Sequence, residues 1–282
     1  MIEVLRSGPL ATVQDLGRPG LAHLGVPRSG AADAPSLRLA NRLVGNPEGA
    51  AGIEFTFGGG ALRFHRAAWM AVTGAPVPFA VDGRGQGANA PCRVPAGAVL
   101  EMGAPPHGLR SYLAVRGGVA PDAVLGSRST DLLSGLGPAP LTPGDRLPVG
   151  ATEGLAAINV DVAPVPPPPD EPVLRLLPGP RDDWFTRDAL RVLTGAPYEV
   201  TADSNRVGVR LDGARLERAR DGELGSEGMV TGALQVPPSG LPILFLADHP
   251  TTGGYPVIAV LTAAAIPSAA QLRPGRRVRF TL

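Results

Sequence analysis

"APVPPPPDEP", residues 163–172, decides how the rest of the chain is read. Four consecutive prolines, Pro166 to Pro169, fix φ and remove backbone donors, so neither a helix nor an interior strand runs through them. The stretch predicts an extended connector between two domains, residues 1–165 and residues 170–282. The two parts echo each other around it. "VLRSGP" (4–9) resembles "LRLLPGP" (174–180), and "LTPGDRLPV" (141–149) resembles "LRPGRRVRF" (272–280). In the second pair a Pro-Gly turn delivers a strand, so both parts are expected to open and close on the same kind of strand.

Moving outward, short apolar segments recur between turn formers: "IEVL" near the start, "ALRF" at 61–64, "WMAVTG" at 69–74, "YLAVRGG" at 112–118, "VLRLLPG" at 173–179, "VGVRLDG" at 207–213, "ILFLA" at 243–247 and "RVRF" at 277–280. Each is bounded by Gly, Pro, Asp or Asn, as strands of sandwiches and barrels are. The 38 glycines and 32 prolines are spread between these segments, which separates the chain from collagen-like or disordered sequence. Helical patterns are few. In "DAPSLRLANRLVGN" Asp33 caps, Pro35 suits the first turn, Leu37, Ala40, Leu43 and Val44 share a face, and Gly45 stops the helix. A second helix is expected over Asp182 to Leu193. The fold class is therefore mainly β with few short helices.

The 26 basic and 25 acidic residues leave a formal charge of +1, which gives no electrostatic reason to expect nucleic acid or a membrane surface as partner. There is no lysine, so every base is arginine, and Schiff-base catalysis and a phosphate-loop lysine are both excluded. One cysteine, Cys92, forms no internal disulfide and fits a reducing compartment. The longest apolar run, Val257 to Ile266, is well short of the ~20 residues of a spanning helix. A cytoplasmic protein is expected.

Polar residues concentrate in a few turn-rich stretches. In "ADHPTTGGY", Asp248 and His249 follow an apolar strand, Thr251 and Thr252 add hydroxyls, and Gly253-Gly254 exposes successive backbone N–H groups suited to an anion. The alternative is a hairpin loop with an Asx turn at Asp248. "TVQDLGRPGLAHLGVPRSGAADAPS", residues 12–36, offers Gln14, Asp15 and Arg18, or is a solvated surface loop. "GSRSTDLLSGLG", residues 126–137, offers Arg128 as a two-point clamp for a carboxylate or phosphate, or is a capped helix start. Asn205-Arg206 ends a turn, and Glu227 beside Ser226 and Gln235 lie in another. Without a nearby histidine Glu227 and Ser226 make no hydrolase triad, and no G-x-S-x-G elbow exists. His23, His65 and His107 have no partner at metal-ligand spacing, so no metal site is expected.

Taken together, "TVQDLGRPG", "GVPRSGAAD", "YLAVRGG", "LGSRSTDLLSGLG", "SNRVGVRLDG", "SEGMVTGALQVPPSGLPILFLADHPTTGGYPVIAV" and "AQLRPG" resemble, in order, one family. It is known as allophanate hydrolase subunit 2, as the biotin-dependent carboxyltransferase subunit, or as the C subunit of 5-oxoprolinase. The resemblance implies two tandem cyclophilin-like β-barrels, one per domain. It also implies a subunit of an ATP-dependent amidohydrolase complex, with 5-oxoprolinase as the leading reading. Expected partners are a smaller kinase-inhibitor-like subunit (allophanate hydrolase subunit 1, or the B subunit of 5-oxoprolinase) and a LamB/YcsF-like third protein. ATP is the implied cofactor, with magnesium following from it and not from a motif; covalent biotin on this chain is excluded by the lack of lysine. Asp248, His249, Arg206 and Glu227 become catalytic candidates. Gln14, Asp15, Arg18, Arg128, Asn205, Gln235, Thr251, Thr252, Gly253 and Gly254 become candidates for binding substrate or nucleotide. The alternatives are carboxyl transfer to urea with biotin supplied by another protein, and a non-enzymatic antagonist that binds a kinase-inhibitor homologue.

Overall fold

A computed structural model describes residues 1–220, 222 and 224–282. The chain forms two compact units. Unit 1 comprises Met1–Arg18, Ser29–Asp131 and Gly135–Pro168, and unit 2 comprises Pro19–Arg28, Leu132–Ser134 and Pro169–Leu282.

Unit 1 is built from two open sheets. One runs in the order Arg146–Leu147, Ile2–Ser7, Gly60–Phe64, Val99–Met102, Phe79–Val81 and Arg84–Gln86; the other runs Leu10–Gln14, Gly52–Thr56, Arg110–Val115, Ala68–Gly74 and Cys92–Val94. Alternation along Ile2–Ser7 turns Ile2 and Val4 inward, and they share one core with Leu62, Phe64 and Leu100 of their own sheet and Val13, Ile53, Phe55 and Leu113 of the other. All six residues of Arg110–Val115 are buried, because its second face is covered as well. The cover is the helix Ala34–Leu43, whose Ala40 and Leu43, with Val44, pack on Ala71 and Ala114. Asp33 caps it: its carboxylate accepts from Ser36 N at 3.1 Å and from the Ser36 hydroxyl at 2.7 Å.

Unit 2 is a closed barrel of seven strands in the order Val173–Pro178, Val257–Leu261, Ala233–Gln235, Ile243–Phe245, Gly208–Asp212, Tyr198–Val200 and Arg277–Thr281. The last strand returns to the first, with Leu174 opposite Phe280 in a parallel pair. Leu174, Leu176, Leu211, Leu234, Leu244, Ile258 and Val278 fill the interior.

The expected tandem of two cyclophilin-like barrels is thus overturned. One barrel forms, in unit 2, and unit 1 stays open because its first sheet ends on Arg146–Leu147 and on the exposed Arg84–Gln86, with nothing among the described residues joining these edges. The sequence echo also conceals opposite geometry: Arg146–Leu147 pairs antiparallel with Ile2–Glu3, whereas Arg277–Thr281 pairs parallel with Val173–Pro178. The single helix expected over Asp182 to Leu193 is broken into a 3-10 turn, Asp182–Trp184, and a helix, Ala189–Gly195. Phe185 between them is extended and bridges Arg218, which seats its ring in the barrel core and interrupts the helical run. Among the described residues no helix is long and apolar enough to cross a membrane.

Candidate functional site

In unit 2 the strand Gly208–Asp212 begins after a tight turn. Asn205 Oδ1 accepts from Val207 N at 2.8 Å and Gly208 N at 3.3 Å, an Asx turn that uses Asn205 locally. The turn sends the Arg206 side chain inward, toward the end of Ile243–Phe245. There Arg206 Nε donates to Asp248 Oδ2 at 2.9 Å and Nη2 donates to Asp248 Oδ1 at 3.1 Å, a bidentate pair with side-chain exposures of 1% and 0%. Asp248 Oδ2 also accepts from Leu132 N at 3.1 Å, and Asp248 N donates to Arg206 O at 3.0 Å. Two strand ends are thereby pinned by one ion pair. Removing either partner takes a buried charge-assisted, two-point contact from the other, a change that typically costs about 3–5 kcal/mol.

The rest of the island hangs from this pair. His249 is buried, its ring tilted against Phe245 at a centroid distance of 6.2 Å, and its Nδ1 lies 2.7 Å from Pro250 O. A carbonyl only accepts, so Nδ1 carries a proton and donates it there. Thr252–Gly253 pairs with Glu227–Gly228 as a two-stranded ribbon, and Met229 N donates to Thr251 O at 2.9 Å. Gln235 Nε2 donates to Tyr255 O at 3.1 Å. A Cβ on Gly253 would lie 2.5 Å from that same Nε2, so the ribbon passes close over the end of the Gln235 side chain. Glu227 is held by Arg181, whose Nε donates to its two oxygens at 2.9 and 3.1 Å; this bonding raises the Arg181 pKa. Nothing in the sequence marked Arg181 as the partner of Glu227, since 46 positions separate them.

In unit 1 the polar stretches around residues 14–18 and 127–130 meet, and they are buried, not solvated. Asp15 Oδ1 accepts from the Ser127 and Ser129 hydroxyls, each at 2.6 Å, and from Gly17 N at 2.8 Å; Oδ2 accepts from Arg128 N at 2.7 Å. The Arg128 guanidinium turns elsewhere, its Nε donating to Pro121 O at 2.8 Å. Arg18, 2% exposed, donates through Nη2 to Ser129 O at 2.6 Å and through Nε to Val124 O at 3.3 Å. Gln14 Nε2 donates to Thr130 O at 2.9 Å and Thr12 Oγ1 at 3.1 Å. The residues singled out from the sequence therefore fall into two sets, one in each unit.

A third polar group escaped the sequence reading. Within the apolar-looking segment at 110–115, the Tyr112 hydroxyl donates to Glu54 Oε2 at 2.7 Å and accepts from Asp33 N at 2.8 Å, and Arg110 Nε lies 3.5 Å from Glu54 Oε1. Burial, then the Glu54 charge, hold the Tyr112 pKa well above its ordinary value. The signal available was an Arg, a Ser and a Tyr opening a strand otherwise made of Leu, Ala and Val.

An open two-sheet unit and a closed barrel, each with buried polar side chains at strand ends, are the features to compare with known proteins. Residues 24–282 match the model of the family "Carboxyltransferase domain, subdomain A and B", and the chain belongs to that family. Within it the chain is closely related to the C subunit of 5-oxoprolinase. It is 38% identical over 290 residues to that protein of Escherichia coli (strain K12), covering 99% of this chain and 90% of the relative. The crystal structure of TTHA0988 superposes with a TM-score of 0.91 at 38% identity, covering 100% of this chain and 55% of that one. The Kluyveromyces lactis urea amidolyase gives a TM-score of 0.91 at 31% identity, covering 99% of this chain and 18% of that one. This chain thus spans little more than half of the first solved chain and under a fifth of the second.

Proposed function

We propose that this chain is the carboxyltransferase-domain subunit of a complex that converts 5-oxoproline, ATP and water to L-glutamate, ADP and phosphate. The observation that carries the reading is the 38% identity to the C subunit of 5-oxoprolinase along nearly the whole of both chains. Urea amidolyase and urea carboxylase resemble the chain over only a small part of their own length, which favours carboxyl transfer less. The complex would include a smaller partner subunit and a LamB/YcsF-like third protein.

The roles follow from the arrangement in unit 2. Water adds to the lactam carbon and the ring nitrogen leaves, so one group must take a proton from water and return it to nitrogen. His249 Nε2 is the group for that transfer, with Nδ1–H fixed on Pro250 O. Both Asp248 oxygens receive hydrogen bonds from Arg206, and one also from Leu132 N, which makes Asp248 a positioning residue that holds Arg206 and the turn bearing His249. The Thr251 and Thr252 hydroxyls, beside it in the chain, supply donors for the oxygen on which charge develops.

Among the described residues no group of three His, Cys, Asp or Glu could hold a metal ion, and the chain has no lysine for a phosphate. ATP is taken as a substrate of the whole complex, and no step derived for the residues of this chain is routed through it.

The test is ADP and glutamate release by the co-purified complex with 5-oxoproline, urea and allophanate in parallel. Turnover of 5-oxoproline alone is expected, falling about 100-fold or more in His249→Ala, the size of a lost general base. Turnover of urea or allophanate in its place would sink the substrate assignment, and full activity in His249→Ala would sink the role of that residue.

A further inference from the structure

Unit 1 holds a cavity of about 560 Å³ that shares no residue with the sets above. It lies where its two sheets part, lined by Phe64 of one sheet and Trp69 of the other, with Arg66, Arg116, Gly150 and Glu153. The volume falls in the ~300–1,000 Å³ range of small-ligand sites. Its wall is preformed. Gly117, at φ +95°, and Gly150 approach so closely that a Cβ on either would lie 2.4 Å from the carbonyl oxygen of the other. Gly150 N donates to Gly118 O at 3.0 Å, and Val119 bridges Val149, which fixes the segment bearing Glu153 against the sheet.

The two arginines of the cavity differ. Arg116 is committed to the wall: Nη1 donates to Val44 O and Ala156 O, each at 2.8 Å, and Nη2 donates to Leu155 O at 3.3 Å. Arg66 is exposed and makes no hydrogen bond or ion pair among the described residues. Near it stands Trp69, 37% exposed, an indole presented to the cavity instead of to the core. A guanidinium with all its donors available takes a carboxylate in bidentate fashion, and an exposed indole face takes a flat ring. Glu153 on the rim opposes ligands of higher negative charge.

We infer that this cavity binds a small molecule consisting of a planar ring with one carboxylate, the carboxylate on Arg66 and the ring against Trp69. The inference is independent of the lactam reading, because it uses different residues and a direct binding measurement. Ligand-observed NMR titration of the full chain with benzoate as probe is expected to give saturable binding with a Kd of about 1 mM or tighter. Arg66→Ala, an exposed change expected to leave the thermal midpoint in place, should weaken binding at least about tenfold, the loss of one charge-assisted contact. Cyclohexanecarboxylate, with the same charge and no flat face, should bind several-fold more weakly than benzoate, and Trp69→Leu should abolish that difference. No saturation at concentrations tenfold above the expected Kd, an unchanged Kd in Arg66→Ala, or AMP binding more tightly than benzoate would each overturn the proposal.

Discussion

Asp15 in unit 1 and Asp248 in unit 2 are both buried carboxylates at strand ends, yet they are held in opposite ways. Asp15 receives two hydroxyls and two backbone N–H groups and, among the described residues, no cation. Asp248 receives a guanidinium on both oxygens and one backbone N–H. Neutral donors share the work of stabilising Asp15, so each can be lost singly. The Asp248 arrangement places two opposite charges in a sealed site and joins them at two points, so losing one charge removes both contacts at once. The first device ties loops together; the second fixes one side chain and the turn that carries His249.

The largest expected effect breaks the charged pair. Arg206→Ala should destabilise unit 2 by about 3–5 kcal/mol in urea denaturation, because the buried Asp248 loses the guanidinium from both of its oxygens. The double variant Arg206→Met with Asp248→Leu should recover much of that stability while the complex stays inactive; a double variant as unstable as the single one would contradict the argument. Next comes Asp15→Asn, which replaces one carboxylate oxygen by an amide donor facing other donors. A loss of about 1–3 kcal/mol is expected in the same measurement. Ser127→Ala, removing one of the neutral donors, should cost about 1 kcal/mol. If it costs as much as Arg206→Ala, the contrast between shared and paired support fails.

A last contrast, visible only as a pH dependence, compares the two sealed tyrosines. Tyr198 donates to Ala214 O at 2.8 Å and burial pushes its pKa to about 12, while Tyr112 sits against Glu54. In the unfolded chain a tyrosine ionises near pH 10, so its raised folded pKa gives stability that is whole below about pH 10 and fades as pH rises through about 12. Wild type should lose up to about 2 kcal/mol from Tyr198 across that window. Tyr198→Phe should show a flatter profile in denaturation curves at about pH 9 to 11; an identical slope would remove the assignment.

Local features were legible in the sequence. The Asp33 cap, the Leu37, Ala40 and Leu43 face and the turn at Asn205 depend on residues within one or two helical turns or a single tight turn, so short-range patterns carry them. The strands at 61–64, 112–115 and 243–245 were legible for the same reason, as apolar runs between turn formers. The sites were legible only as residue types. Arg206 and Asp248 stood out as polar residues at strand ends, but their pairing spans 42 positions, and the meeting of Asp15 with Ser127 spans 112. The stretch at 12–36 read equally well as a solvated loop, because burial of Gln14, Asp15 and Arg18 depends on a segment more than a hundred residues away.

By itself the sequence determined a mainly β chain, a helix with its cap and a resemblance to one family, since each of these lies in composition or in runs of neighbouring residues. Tertiary structure alone decided which sheet closes. Two similar strands after two similar Pro-Gly turns meet the opening strand of their unit antiparallel in one case and parallel in the other, and only in unit 2 does the pairing of Leu174 with Phe280 complete a barrel. Strand direction and closure are set by which edges meet across the whole unit, and a stretch of alternating residues reads the same in either direction.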